Sequence, residues 1–167
     1  MKHKALVFAL MFFPFLAQAS DYEITVDRKK DALSAASGKY RLVSSQNWTG
    51  EVKIQNHAFK PSPDMEARYV VFVKRQKIGE KEGQDSIEKV KGTFSVATIK
   101  PGTTGIFLTS DVALHAAHMA PGWVPEEGGK ETAQDTVVGI WLRLYAGTTQ
   151  VAEYVNPSTL TTKFKWE

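Results

Sequence analysis

The amino-acid sequence predicts an all-β domain that folds as a single antiparallel β-sandwich of eight or nine strands. Apolar and polar residues alternate over many short segments, which is the period-two pattern of a half-buried strand. Clusters of Pro, Gly, Asn and Asp separate these segments at roughly ten-residue spacing, as in sandwich proteins. Segments with helical periodicity are few. These three observations together favour two packed antiparallel sheets.

The N-terminal segment, residues 1–19, has the features of a secretory signal peptide. Two lysines lie within residues 1–4, residues 5–16 are almost entirely apolar, and Ala17-Gln18-Ala19 matches the small-x-small cleavage pattern. The apolar run is too short to cross a bilayer as a helix. We therefore expect cleavage after Ala19, one domain over residues 20–167, and no membrane span once the leader is removed.

Charge and cysteine content restrict the compartment and the partners. The formal net charge of +3 falls to +1 when Lys2 and Lys4 are removed, and no long block of one sign is present. A nucleic-acid partner is therefore not predicted. The chain is predicted to be exported yet contains no cysteine, whereas eukaryotic secreted domains often carry disulfides. With the short lysine-rich leader, this favours a bacterial periplasmic or extracellular protein.

The first half of the domain is predicted to contain four strands, over residues 22–26, 40–43, 48–59 and 67–78. Residues 27–39 are polar and small, which predicts a connection. The fourth strand contains the unbroken apolar run Tyr-Val-Val-Phe-Val, which is typical of a central strand buried on both faces.

The segment that follows mixes loops and strands. Residues 79–91 are charged with both signs, which predicts a solvated loop with one possible helical turn at 85–88. A strand is predicted over 93–99. Period-two alternation then continues to Leu114 and favours a strand that is bulged near Ser110 and Asp111. The alternative is a helix over 112–119. Residues 120–130 read as a long loop, and alternation at 162, 164 and 166 predicts a last strand.

The longest β signal is a hairpin within residues 136–160. Val138, Ile140, Leu142 and Leu144 are predicted on its aliphatic face, and residues 141, 143 and 145 on the other. If Tyr145 pairs with Val151, the register places Arg143 opposite Glu153, an opposite-charge pair on the outer face. A slip by one residue would place Glu153 on the aliphatic face, where an unpaired carboxylate is costly.

A turn in the middle of the chain resembles a family motif. Ile99-Lys100-Pro101-Gly102-Thr103 has proline and glycine at the positions that a type II turn requires. Through Phe107 the segment resembles the turn before a late strand in fibronectin type III domains, which often reads Leu-x-Pro-Gly-Thr-x-Tyr, although the tyrosine is absent here. The resemblance implies an immunoglobulin-like β-sandwich, a superfamily of mostly binding, adhesion and spacer modules.

Two sets of side chains are candidates for a functional site. Trp48, at a strand start beside polar residues, and Trp123, in a Pro/Gly loop, are candidates for stacking on sugar rings or anchoring a protein partner. His115 and His118 are weak candidates for a metal site, because residues three apart share a face only on a helix, whereas the preferred strand places them on opposite faces.

The predicted function is an exported, non-enzymatic binding or structural interaction module of the bacterial cell envelope. A protein partner or self-association is expected, and a glycan is possible; no cofactor is predicted. One alternative is a carbohydrate-binding module that uses the loop tryptophans. Another is a hydrolase, for which the adjacent carboxylates Glu126 and Glu127 are the acid/base candidates.

Overall fold

The computed structural model describes residues 20–30, 34–38, 40–81, 83, 85–126 and 128–166. The predicted signal peptide lies outside these residues. The described chain is all-β, with two antiparallel sheets and one short helix. Its elements are β1 (Tyr22–Lys30), β2 (Ser34–Ser37), β3 (Arg41–Asn56), β4 (Met65–Arg75), β5 (Ser86–Val96), β6 (Thr104–Leu108), β7 (Val112–Met119), β8 (Thr132–Gln134), β9 (Thr136–Ala146), β10 (Thr149–Asn156) and α1 (Leu160–Lys163).

The first sheet is organised around β3. This strand pairs with β1 and β2 along one edge and with β6 and β7 along the other, and β8 pairs with β7. In its C-terminal half every second side chain is buried, including Val52 and Ile54, so this half faces the core. The two strands predicted over 40–43 and 48–59 form one continuous strand in the structure. The connection predicted over 27–39 contains the strand β2, in which Ser34 to Ser37 pair with residues 42–45.

The second sheet has the strand order β10-β9-β4-β5. The prediction that its central strand is buried on both faces is confirmed. Val71 and Val73 face the first sheet, whereas Val70 and Phe72 face the opposite side, and all four are buried. The apolar residues on the outer face of β4 are buried because a separate segment covers this face of the sheet.

That covering segment is the C-terminal tail, which the sequence predicted as a last strand. This prediction is wrong. The tail instead forms the short helix α1 and an extended end that lies across the outer face. The Phe164 ring stacks on Phe72 at 4.6 Å between centroids, and Trp166 meets Trp141 edge-on at 5.4 Å. Alternating Phe and Trp thus mark contacts with a sheet face, without strand pairing.

The segment between residues 79 and 119 contains more strand than the sequence indicated. The strand β5 begins at Ser86, so the predicted loop over 79–91 is wrong in its second half; Ser86 to Lys91 pair with β4 without a break in register. The preferred strand through Leu114 is confirmed against the helix over 112–119, and β7 continues to Met119. A break at residues 109–111 separates β6 from β7, where the sequence predicted a bulge.

The hairpin β9–β10 has the predicted charge pair. Glu153 lies opposite Arg143, and the Arg143 Nε donates to Glu153 Oε1 at 2.6 Å. The predicted Tyr145–Val151 pair is wrong, because Tyr145 lies opposite Gln150 and a bulge turns Val151 into the core beside Ala152. A second bulge, where β9 meets β4, places Val138 in the outer cluster.

The two sheets are joined by one nearly continuous run of strand. The strand β8 belongs to the first sheet and β9 to the second, and Asp135 is the only residue between them. Its buried carboxylate accepts hydrogen bonds from Arg75 Nη1 at 2.7 Å and from the backbone N–H of His115 at 3.0 Å. The crossing point is therefore tied to β4 in one sheet and to β7 in the other.

Candidate functional site

The candidate site is a cleft at the end of the first sheet where β3 begins. Its aromatic wall is formed by Trp123, from the β7–β8 loop, and Tyr40, from the turn before β3. The rings meet edge-on with 4.6 Å between centroids. Trp123 is 49% exposed and Tyr40 is 46% exposed, so a ligand can reach both rings.

A tight turn positions Trp123. In Ala120-Pro121-Gly122-Trp123, the Trp123 N–H donates to the Ala120 carbonyl at 3.0 Å, and Gly122 has φ +81°. Proline at the second position and a positive-φ glycine at the third define a type II turn. The Ala120 N–H in turn donates to the Tyr40 carbonyl at 2.9 Å, which ties this turn to the tip of the β2–β3 hairpin.

The opposite wall is the connection between β4 and β5. Gly79 and Lys130 are joined by a hydrogen bond from the Gly79 N–H to the Lys130 carbonyl at 2.9 Å, and the Lys130 N–H donates to the Glu80 carbonyl at 3.1 Å. The cleft has a volume of about 810 Å³ and contains both apolar and charged groups. Its lining consists of Tyr40, Arg41, Lys77, Ile78, Gly79, Glu80, Met119, Trp123, Val124, Pro125 and Glu126.

Charged groups behind the cleft hold this wall in place. The Asp85 carboxylate contacts Lys74 Nζ at 2.6 Å and Lys130 Nζ at 3.0 Å, and it accepts a hydrogen bond from Gln76 Nε2 at 3.0 Å. The hydrogen bonds from Lys74 and Lys130 lower the pKa of Asp85 from 3.8 to about 2. The β4–β5 connection is thus anchored to the end of the β7–β8 loop.

The structure does not bring Trp48 to this cleft. Trp48 lies on the inward face of β3 opposite Val112, and only 7% of the residue is exposed. It lines a narrow space of about 260 Å³ together with Arg28 and Asn156. A buried indole cannot stack on a sugar ring in solution, so this part of the tryptophan hypothesis has no support. The surface aromatic that accompanies Trp123 is Tyr40.

The two candidate metal-binding histidines lie on the strand β7 and not on a helix. His115 and His118 are both exposed on β7, and their separation of three places them on opposite faces. Among the residues that the structure describes, no group of three or more His, Asp or Glu side chains is arranged to hold a metal ion. Of the two acid/base candidates, Glu126 lines the cleft and Glu127 lies outside the described residues.

The Arg143–Glu153 pair lies away from the cleft, beside the rings of Trp141 and Trp166. Glu153 Oε1 also accepts a hydrogen bond from Trp141 Nε1 at 2.9 Å. The Arg143 guanidinium lies 4.5 Å from the Trp166 ring centroid and 5.2 Å from that of Trp141. The pair therefore helps to seat the C-terminal tail on the second sheet.

Sequence reasoning missed Tyr40 because nothing near it marks a surface site. Its position beside Trp123 follows from the pairing of β3 with β7, in which Arg41 lies opposite Met119. That register brings the residue before β3 next to the residues after β7. The sequence did contain a signal for the other ring of the cleft: the Pro-Gly pair at 121–122 predicts a turn that would expose Trp123.

No protein-family model matches the chain. A search of curated protein sequences also found no match. One similar solved structure comes from Akkermansia muciniphila: it is 10% identical over 87% of this chain and 78% of that chain, with a TM-score of 0.33. A TM-score this low does not establish a common fold.

Within the described residues, no helix is long and apolar enough to cross a bilayer.

Proposed function

We propose that this protein is an exported, non-enzymatic binding module of the bacterial cell envelope that takes its ligand in the Tyr40–Trp123 cleft. The observation that carries the proposal is the pair of half-exposed rings in edge contact, held on two loops that are hydrogen-bonded to each other. Exposed tryptophan and tyrosine at a concave surface are typical of binding sites.

The size and lining of the cleft support a ligand of moderate size. Its volume of about 810 Å³ lies within the range of about 300–1,000 Å³ that is typical of small-molecule sites. Met119 and Ile78 provide apolar surface, and Arg41, Lys77 and Glu80 provide hydrogen-bonding groups. The pairing of aromatic rings with mixed charges favours a ligand that has both apolar faces and hydroxyl or charged groups.

A carbohydrate is the ligand class that this lining favours. Sugar rings present C–H faces that stack on indole and phenol rings, and hydroxyl groups that bond to Arg, Lys and Glu. The alternative of a carbohydrate-binding module thus rests on Trp123 with Tyr40, without Trp48. No arrangement among the described residues favours the hydrolase alternative, which stays a prediction.

A glycan array probed with the purified protein and its variants tests this proposal. We expect signal for at least one glycan class, and we expect Trp123→Ala and Tyr40→Ala each to reduce it by about tenfold or more. The matched control is Phe59→Ala, since Phe59 is a fully exposed aromatic at the other end of β3.

Two results would count against the proposal. Equal binding by Trp123→Ala and wild type would exclude the cleft as the site. Signal lost equally in Phe59→Ala would show that the loss is not specific to the cleft. A silent array followed by Trp123-dependent capture of a defined envelope protein would retain the cleft and replace the sugar with a protein ligand.

The immunoglobulin-like arrangement is our interpretation of the fold. It is supported by two packed antiparallel sheets and by the type II turn at residues 100–103, where Thr103 N–H donates to the Lys100 carbonyl at 3.2 Å and Gly102 has φ +69°. Export and a periplasmic or extracellular location are proposed from the leader sequence at residues 1–19.

A further inference from the structure

The edge strands β2, β6 and β8 carry no charged residue, unlike β1, β5 and β10. Of these three uncharged strands, only β6 exposes large apolar side chains among the residues that the structure describes. In the described part of the chain, β6 pairs only with β3. Its outward side chains include Ile106, which is 61% exposed, and Leu108, which is 46% exposed. An uncharged apolar edge is a template for a further strand, because no lysine or bulge prevents another strand from approaching.

The hydrogen bonds at both ends of β6 show which backbone groups lie on the free edge. Asn56 N–H donates to the Thr103 carbonyl at 3.1 Å, and Thr109 N–H donates to the Gly50 carbonyl at 2.9 Å. Since bonding residues alternate along an antiparallel strand, residues 103, 105, 107 and 109 face β3. Thr104, Ile106 and Leu108 therefore direct their N–H and C=O groups outward.

These outward groups have no other backbone partner among the described residues. The next group in the alternation does have one, because Ser110 N–H donates to the Tyr69 hydroxyl at 2.7 Å. The free edge is therefore three bonding residues long and ends at Ser110. The same three residues carry the side chains that point away from the core.

We propose that this edge pairs with the β6 edge of a second copy of the chain, in antiparallel orientation about a two-fold axis at Ile106. In this register Ile106 of each copy opposes Ile106 of the other, and Thr104 opposes Leu108. The three outward residues on each copy would form about six backbone hydrogen bonds. Two first sheets would join into one continuous sheet, which is an isologous contact.

The free bonding residues of β6 favour pairing with a second copy in this register, because they are spaced symmetrically about Ile106. A shift by two residues in one direction leaves Leu108 without a bonding partner, and a shift in the other direction requires the Ser110 N–H that Tyr69 already accepts. Pairing of β5 with itself would instead bring Lys89 and Lys91 to the contact. Five-residue strands bury less area than a stable interface needs, so the dimer is weak and depends on concentration.

Analytical ultracentrifugation with charge-exchanged variants tests the proposal. We expect reversible dimerisation of the wild type over a wide concentration range. Ile106→Lys and Ile106→Asp each place like charges face to face on the axis, and each should weaken self-association by roughly tenfold or more. An equimolar mixture of the two variants should restore dimers, because opposite charges then meet. Phe59→Lys is the matched control for an added surface charge.

Engineered cysteines test the register, because the chain has none of its own. Residues that form a hydrogen-bonded antiparallel pair have Cα atoms about 5.5 Å apart, within the range for a disulfide. Ile106→Cys should therefore cross-link two copies on oxidation. Leu108→Cys alone should not, since its equivalents lie four residues apart along the strand, at about 13 Å. The double variant Thr104→Cys, Leu108→Cys should cross-link again.

A wild type that stays monomeric throughout, or variants at Ile106 that dimerise like the wild type, would overturn the proposal. Cross-linking through Leu108→Cys alone would overturn the register. Trp123→Ala is expected to dimerise normally, so failure of ligand binding at the cleft and failure of self-association at β6 give separate results.

Discussion

Burial separates the two kinds of ion pair in this protein at the scale of single residues. The Asp135 side chain is only 6% exposed where it meets Arg75, and it accepts a further hydrogen bond from a backbone N–H of β7. The side chains of Arg143 and Glu153 are 23% and 35% exposed. Removing one partner of a buried pair leaves an unpaired charge away from water, whereas solvent screens an exposed pair.

We therefore expect Arg75→Ala, which leaves the buried Asp135 carboxylate without its cationic partner, to lower the free energy of unfolding by about 3–5 kcal/mol. Arg143→Ala should cost less, about 1–2 kcal/mol, through the exposed pair and the ring contacts. Urea denaturation of both variants beside the wild type measures the difference. Similar losses in the two variants would contradict the role given to burial.

The lowered pKa of Asp85 predicts a specific dependence of stability on pH. Its pKa is about 2 in the folded protein, below the usual 3.8, so the unfolded chain binds more protons between these values. The stabilisation by Lys74 and Lys130 is then fully present above about pH 4 and is lost as the pH falls toward 2. Asp85→Asn should be less stable than the wild type at pH 7.

Denaturation midpoints of the wild type and Asp85→Asn at a series of pH values test this directly. The difference between the two proteins should shrink between pH 3.8 and pH 2. A difference that stays constant over this interval would show that the substitution acts through packing.

At the scale of secondary-structure elements, the sequence predicted pairing partners better than local irregularities. The Arg143–Glu153 pair could be predicted because only one register keeps charge off the aliphatic face. The bulges at Val151 and next to Val138 could not, since a bulge inserts one residue whose cause is the fit to a neighbouring strand. Alternation at 162–166 was misread for a related reason, because an extended tail on a sheet face buries every second residue as a strand does.

The tail is an element whose stabilising contribution can be measured. Leu160 is 3% exposed and belongs to the outer cluster with Val70, Phe72 and Trp141. Leu160→Ala should lower the free energy of unfolding by about 2–4 kcal/mol, from lost burial and the cavity left behind. The exposed neighbour Thr161 provides the control, and Thr161→Ala should change stability by less than about 0.5 kcal/mol.

Thermal or urea unfolding followed by tryptophan fluorescence measures both tail variants, since Trp141 and Trp166 report on this face. A Leu160→Ala protein as stable as Thr161→Ala would show that the tail lies on the sheet without stabilising it.

At the scale of the whole molecule, the class of fold followed from the sequence and the composition of the candidate site followed only in part. Period-two patterning was sufficient for an all-β chain with antiparallel sheets. Trp123 lies in an exposed loop as its Pro/Gly neighbours suggest, whereas Trp48 is buried although polar residues flank it, because those residues lie on the other face of β3. Tyr40 required the long-range register of β3 and β7, which local patterns do not contain.

Local stability should differ between the two ends of the molecule. The strand β4 has a bonded strand on each side and apolar cover on both faces. The residues of β3 before Trp48, which pair with β2 and β7, are partly buried or exposed. Hydrogen exchange should be slowest in β4 and β9, and faster at residues 34–46 and 113–119. Uniform protection by mass spectrometry across both regions would contradict this expectation.

The strand run from β8 through Asp135 into β9 has a mechanical consequence. Two stacked sheets that are linked only by flexible loops can shift relative to each other. Here one run of backbone belongs to both sheets, and its crossing residue, Asp135, is hydrogen-bonded to a strand of each. A relative shift of the sheets would have to break these hydrogen bonds together, so we expect the two sheets to resist shear. A load applied at the cleft loops, which lead directly into β8, is thereby carried into the central strands of the opposite sheet.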